Sequence, residues 1–262
     1  MTVVDFTPSG GAFRQPAVRL RFMGMPFDRV GQAAALERLA ARGAGRPFRY
    51  VVTPNVDHVV SLARDPARRA LFEDAWLSLC DSKPIWTLGR VAGVSLEHAT
   101  GSDLTARLFE RVIGKDDRVA VIAASDLVAQ QLRTRFHDIE FFVHVPPPGV
   151  MGNPQAFEEC VDFVVHQQAR FIFLAIGAPQ SEWIAHAVRK RANATGTALC
   201  IGASLEFMMG TRSRAPKWMR AAGLEWLHRL MSEPQRLWRR YLLAVVPLTR
   251  LFLHYLRRGN GV

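Results

Sequence analysis

Short runs of β-branched and aromatic residues alternate along this chain with stretches whose apolar residues recur at helical spacing. The runs predict strands at Val18–Met23, Arg49–Thr53, Trp76–Cys80, Arg118–Ala123, Ile139–Val145, Phe171–Ile176 and Thr197–Ile201. Between them the spacing predicts helices over Val30–Arg42, Asp57–Phe72, Leu104–Ile113, Leu127–Phe136, Pro154–Gln168 and Glu182–Arg191. Such alternation gives an α/β, Rossmann-like fold: a mainly parallel sheet flanked by helices. Ligands of such sheets sit at the carboxyl ends of the strands. The loops to watch are therefore Thr53-Pro54-Asn55, Asp81-Ser82-Lys83-Pro84 and Gly177-Ala178-Pro179-Gln180. Past Gly202 the pattern is helical, with breaks at Gly210, Pro216, Gly223, Pro234 and Pro247. Ser232-Glu233-Pro234-Gln235 has capping-box spacing and predicts a new helix running to about Arg258.

Charge divides the chain. From Thr211 to Val262 eleven Lys and Arg face only Glu225 and Glu233, a net +9 out of the chain's +11. Interleaved with these cations are Trp218, Trp226, Trp238, Leu237, Tyr241, Leu242, Val245, Leu248, Leu251, Phe252 and Tyr255. Arginines beside a helical apolar stripe point to an element lying in a membrane interface. The expected organisation is a flexible lead-in over 1–17, a Rossmann-like core over 18–210, and a basic, amphipathic, membrane-associating helical appendage over 211–262.

No basic segment followed by an apolar one opens the chain, so no signal peptide is read. No apolar run approaches the roughly 18–20 residues that span a bilayer. Cys80, Cys160 and Cys200 are widely spaced, which supports neither a zinc site nor a disulfide framework and fits a reducing cytosol.

Several polar residues invite two readings each. Asp81 leaves an apolar strand, where it could take a proton from an attacking hydroxyl or simply cap the following helix. Thr53 and Asn55 offer a hydroxyl and a carboxamide beside a helix start, a setting that suits phosphate or a plain turn. Thr100, Gly101, Ser102 and Asp103 carry the same ambiguity. Glycine-rich phosphate-loop and dinucleotide fingerprints are absent, as is any Asp-x-Asp. A diphosphate substrate would then have its charge met by arginine and helix ends. The eight histidines show no ligand spacing, and His58, His144 and His186 read as structural or exposed. In the tail, Arg236 and Arg240 stand one helical turn apart with Arg239 and Arg229 nearby, either a solvated face or a contact for lipid or diphosphate.

Together these residues resemble the WecG/TagA/CpsF glycosyltransferase family. The likeness runs from Val18 to about Arg258: Thr53-Pro54-Asn55, Asp81, Thr100-Gly101-Ser102-Asp103-Leu104, then Gly177-Ala178-Pro179 with Glu182. It is densest at Arg214-Ala215-Pro216, Trp218-Met219, Gly223-Leu224-Glu225-Trp226, Arg229, Glu233-Pro234, Arg236 and Tyr241. The resemblance implies an inverting, metal-independent transferase with no bound cofactor. It would move a sugar from a UDP donor to a polyprenyl-diphosphate-linked saccharide, peripherally on the cytoplasmic face of the membrane. It puts the general base on Asp81 and donor contacts on Thr53 and Asn55. Further contacts would come from Thr100, Gly101, Asp103, Gly177, Pro179, Gln180 and Glu182, and from the appendage arginines Arg229, Arg236, Arg239 and Arg240. Fixed positive charge would stabilise the departing UDP.

Three positions depart from the family pattern. Ser82 follows the base where glycine is usual, His98 stands where an arginine precedes the Thr-Gly-x-Asp loop, and Ser181 replaces a glutamine before Glu182, with Gln180 one residue earlier. They leave the donor open among N-acetylmannosamine, glucose and uronic-acid types. The charge alone would also permit a nucleic-acid binder, although the tail's tryptophans and leucines argue against it, and the departures would permit a membrane scaffold without catalysis. The apolar stripe could also pack against a second copy of the chain.

Overall fold

The computed structural model describes residues 17–258 apart from 217, 220–222 and 233, with the backbone alone at 229, 236, 237, 239–242 and 258. The expected lead-in therefore lies, all but residue 17, outside the described residues.

Six strands form one parallel sheet in the order β4-β3-β8-β7-β5-β6, with β3 Arg49–Val52, β4 Leu77–Ser78, β5 Arg118–Ala123, β6 Glu140–His144, β7 Phe171–Ala175 and β8 Thr197–Cys200. Every one falls inside a predicted run. Successive side chains leave opposite faces of a strand, so each strand feeds two cores. Phe171 and Phe173 pack with α1 (Gln32–Ala40), α5 (Gly101–Arg111), α6 (Asp126–Arg135) and α9 (Ser204–Met209). Ile172 and Leu174 pack on the other side with α2 (Val56–Arg64), α3 (Arg69–Glu73), α4 (Lys83–Val91), α7 (Pro154–Gln167) and α8 (Gln180–Arg189). The three cysteines are free and buried, and burial pushes the thiols of Cys80 and Cys160 up to about 12 and about 11. None of these thiols is poised as a nucleophile.

The structure corrects the predicted elements in three places. The single strand predicted at Val18–Met23 is one arm of an antiparallel hairpin, β1 Arg19–Phe22 with β2 Met25–Asp28. β2 is buried at all four positions and carries Pro26, so it shows neither alternation nor an unbroken β-rich run. Arg19 grips the buried Asp28 with two hydrogen bonds of 2.9 and 2.8 Å, and Asp28 also accepts the Ser78 amide at 2.7 Å, which fastens the hairpin to β4. The helix predicted over Asp57–Phe72 is split at Asp65–Pro66, because a residue before proline is pushed out of the helical region. The break predicted at Pro247 does not occur: α10 (Glu225–Ser232) is followed by α11, which runs unbroken over Pro234–Arg258.

α11 keeps its course through Pro247 because its distal half is docked. Leu248, Leu251, Phe252 and Tyr255 pack on the core, and Phe22 meets the rings of Phe252 and Tyr255 edge-on at 6.4 and 4.9 Å. A proline inside a helix costs about 3 kcal/mol, while burying one large apolar side chain contributes about 1.5–3 kcal/mol. Four such side chains, even partly buried, offset the proline. This part of the predicted membrane stripe is thus spent on the protein's own core. The fully buried Phe22 is the seat of this contact. Phe22→Ala is expected to cost about 3–5 kcal/mol, read as a lowered denaturant midpoint; a loss under about 1 kcal/mol would contradict the docking.

Candidate active site

The carboxyl ends of β3 and β4 are surrounded by loops that the sequence leaves far apart. β3 ends at Val52, and the next residue, Thr53, is buried with its hydroxyl donating to the Cys200 carbonyl at 3.2 Å. The Asp81 amide donates to the Pro54 carbonyl at 3.1 Å, tying the loop after β4 to the loop after β3. A parallel bridge between Cys80 and His98 then carries the chain alongside to Thr100. α5 begins at Gly101 directly over both loops. A side chain there would place its Cβ 3.2 Å from Thr53 Oγ1 and 3.7 Å from Asp81 Oδ2. Thr53, Asp81 and Gly101 are therefore neighbours around one point, and α2, α4 and α5 all begin at its edge. The positive ends of these helix dipoles favour negative charge there.

Asp81 is half-buried at this mouth. Capping does not account for it, because the N-cap of α4 is Ser82, whose Oγ accepts the Ile85 amide at 3.4 Å. The serine that replaces the family's glycine thus takes the structural role and leaves the adjacent carboxylate at the strand exit. Asn55, in contrast, does cap α2, accepting the amides of Asp57 and His58 at 3.0 and 3.5 Å. Its own amide meets His58 Nδ1 at 3.2 Å, and His58 Nε2 lies 3.4 Å from Glu182 Oε1. Glu182 is only 4% exposed. Through His58 it joins the loop after β7 to the loop after β3, across the intervening β8. His58 was read as structural, and this bridging position is structural; the Asn-x-x-His spacing of a capping box is the one signal that could have flagged it.

Along the same β7 loop, Gly177 has φ of +83° and its carbonyl accepts the Ser181 amide at 3.1 Å. Pro179 precedes α8 and Gln180 opens it, half-buried. The Ser181 hydroxyl turns inward to the Leu174 carbonyl at 3.1 Å. The polar group facing outward at the start of α8 is consequently Gln180 rather than residue 181.

The Thr-Gly-Ser-Asp loop anchors the appendage. Thr100 caps α5 and donates its hydroxyl to Asp103 Oδ2 at 2.8 Å, while Asp103 Oδ1 pairs with Arg214 Nη1 at 2.8 Å. Past that pair, a Cβ on Gly223 would come within 2.9 Å of Lys83 Cγ, so the approach to α10 lies against the start of α4. His98 sits at this seam. Burial first, and then the neighbouring Lys83, hold its imidazole below its ordinary value despite the acids Asp103 and Glu225. Burial thus disfavours a positive charge on His98. Lys83 stands here, with Nζ 3.9 Å from the centre of the Trp86 ring.

Arg229, Arg236, Arg239 and Arg240 lie on α10 and α11, and their side chains fall outside the described residues. Among the described residues no three His, Cys, Asp or Glu side chains gather as metal ligands, and no helix is long and apolar enough to cross a membrane. Asp103, Arg214, Lys83 and Glu225 form the joint between core and appendage, and only Asp103 was singled out as a site residue from the sequence; the others are placed there by contacts more than a hundred residues long. Gly101→Ala would set a Cβ 3.2 Å from the buried Thr53 Oγ1 and 3.7 Å from Asp81 Oδ2, so the melting temperature should fall as these neighbours give way, and turnover should drop at least tenfold; full turnover would show that this point is not the reacting site.

Comparison with known proteins places the chain in a family. The sequence pattern of the Glycosyl transferase WecG/TagA/CpsF family matches residues 20–261. An N-acetylglucosaminyldiphosphoundecaprenol N-acetyl-beta-D-mannosaminyltransferase of Bacillus spizizenii is 25% identical over 211 residues, which cover 78% of this chain and 79% of that one. With the match spanning nearly every residue from the hairpin to the last helix, the chain belongs to the WecG/TagA/CpsF family of glycosyltransferases.

Proposed function

We propose that this glycosyltransferase moves a sugar from a UDP donor onto a saccharide carried on a polyprenyl diphosphate, with inversion and without a metal, in the assembly of a cell-surface polysaccharide or exopolysaccharide. The observation that carries the reading is the Asp81 carboxylate beside Thr53 and Gly101, at the mouth where α2, α4 and α5 begin. The Bacillus spizizenii relative, an N-acetylmannosaminyltransferase acting on N-acetylglucosaminyldiphosphoundecaprenol, supports a diphosphate-linked N-acetylglucosamine acceptor and an N-acetylmannosamine-type donor.

In this mechanism an acceptor hydroxyl enters over the crevice and Asp81 takes its proton as the oxygen attacks C1 of the donor sugar. The bond from C1 to the diphosphate breaks on the opposite face, which inverts the anomeric centre. Negative charge then grows on the leaving UDP. The positive dipole ends of α2 and α5 stabilise it, with Arg229, Arg236, Arg239 and Arg240 completing the cationic side. Thr53, Asn55, Thr100, Asp103, Gly177, Pro179, Gln180 and Glu182 shape the donor pocket, directly or through the contacts described above. His98 and the inward-turned Ser181 border that pocket, and the N-acetylmannosaminyltransferase relative supports a hexosyl or N-acetylhexosaminyl nucleotide as donor.

The appendage supplies a docking face for the membrane that holds the acceptor. Trp218, Trp226 and Trp238 are 65, 43 and 45% exposed, and Leu243, Val245 and Val246 are exposed beside them. These large apolar groups sit in the strongly basic segment and favour an anionic lipid interface. We assign the chain to the cytoplasmic membrane surface on this ground.

The experiment is release of UDP from a panel of UDP-sugars, with the lipid-linked acceptor held in anionic vesicles. One donor should support turnover, and Asp81→Asn should reduce it at least a thousandfold while the melting temperature stays put. Near-full turnover by the variant removes the base assignment. The wild-type chain should also float with the vesicles, and a chain left at the bottom of the gradient removes the membrane reading.

A further inference from the structure

At the amino ends of the strands, on the far side of the sheet from Asp81, three arginines converge without an acid among them. The loop after α1 returns toward β3 through Gly45, at φ of +70°. It is held rigidly: the Gly196 amide donates to the Arg46 carbonyl at 2.8 Å, Pro47 bridges Thr195, and Arg170 clamps the carbonyls of Ala40 and Arg42 at 2.9 Å each. Arg42 is fixed on this frame, its Nε donating to the buried Thr197 hydroxyl at 2.8 Å and its Nη2 to the Pro47 carbonyl at 2.6 Å. Arg46 and Arg49 project beside it, both exposed. Together with Ala41 and Pro47 they line a basin of about 370 Å³. Arg49 also faces an adjoining basin of about 300 Å³, formed with Glu73, Asp74, Ala75, Trp76 and Arg189. The Trp76 ring braces the cluster, with the guanidinium carbons of Arg42 and Arg49 at 5.1 and 5.7 Å from its centre.

The acids within reach are already taken. Glu73 pairs with Arg21 at 2.7 Å, and Asp74 pairs with Arg189 at 3.0 Å and faces His186 at 3.5 Å. No ion pair to Arg42, Arg46 or Arg49 occurs among the described residues. Burial, with Arg49 and Arg46 adding their repulsion, brings the Arg42 guanidinium down to about 10, an unusual state for a group that is ordinarily always charged. A self-repelling set of guanidinium forks, with Arg42 fixed by its hydrogen bonds and Arg46 and Arg49 exposed beside it, is suited to an anion that accepts several hydrogen bonds at once.

We propose that the Arg42–Arg46–Arg49 basin is a binding site for the phosphate groups of a small ligand, separate from the transferase crevice. Two basins of this size lie at the small end of ligand pockets, which fits a diphosphate moiety rather than an extended polymer. The same chemistry is offered by a free phosphorylated metabolite or by a phospholipid headgroup. The site does not depend on Asp81 or on the identity of the sugar donor.

Inorganic pyrophosphate titrated calorimetrically into the full chain at low ionic strength tests the assignment. The wild-type chain should bind it, and Arg46→Ala/Arg49→Ala should bind at least tenfold more weakly with an unchanged thermal melt, since neither side chain supports the core. A control, Arg111→Ala/Arg133→Ala, removes the same charge from two exposed positions elsewhere and should keep the wild-type affinity. A loss smaller than tenfold in the basin variant, an equal loss in the control, or no binding by the wild type overturns the site. Flotation of the basin variant with phosphatidylglycerol vesicles separates the sources. Weakened flotation beside weakened titration identifies the phosphate as a lipid headgroup, and unchanged flotation identifies a free ligand. Because neither readout uses transfer activity, failure here leaves the catalytic reading untouched, and the reverse also holds.

Discussion

A missing side chain at Gly101 lets the first turn of α5 settle against Thr53 and Asp81, and the rest of the site is arranged around that approach. A Cβ there would stand 3.2 Å from the threonine hydroxyl, closer than ordinary van der Waals contact permits. Because β3 and β4 are parallel neighbours, their exits lie side by side, and the bridge from Cys80 to His98 brings α5 across them. Three helix starts and one carboxylate thus share a small volume. Amides at helix starts favour an anionic group, and the carboxylate is a proton acceptor. Those are the two things that sugar transfer from a nucleotide diphosphate needs on opposite sides of C1.

The C-terminal segment serves two ends with one apolar stripe. Its distal half, through Leu248, Leu251, Phe252 and Tyr255, is bound to Phe22 and the core. Its proximal half leaves Trp218, Trp226, Trp238 and Leu243 exposed. The segment is rooted to the site by Asp103 and Arg214 and by the contact of Gly223 with Lys83. The exposed apolar face is therefore mechanically continuous with the loop that carries Gly101. In the proposed mechanism this couples arrival at the acceptor's membrane to completion of the cationic side of the pocket.

The strands of the sheet were legible because a doubly covered parallel strand is apolar on both faces, as β5, β7 and β8 are along nearly their whole length. β2 was not, since Pro26 interrupts its pattern and its burial depends on Ser78 and Asp28, fifty residues apart. Pro247 misled for the opposite reason: local propensity marks a break, and packing at Leu251 and Tyr255 overrides it. At the site, the letters around Asp81 allowed either a helix cap or a proton acceptor. The cap of α4 falls one residue later, on Ser82, which accepts the Ile85 amide, and single-residue cap positions are beyond periodicity. The arginine cluster at the amino ends was invisible for another reason. Arg42, Arg46 and Arg49 form no motif, and their meeting with Trp76 exists only in the folded chain.

The central claim is that the donor's diphosphate lies among Thr53, Gly101 and the starts of α2 and α5, with Asp81 facing the sugar carbon. A crystal structure of the chain with UDP tests it most directly. The account expects diphosphate oxygens within hydrogen-bond reach, about 2.6–3.2 Å, of donors in the loops after β3 and β4 or at the start of α5. A nucleotide seated elsewhere, or one leaving Asp81 behind a wall of protein, would contradict it.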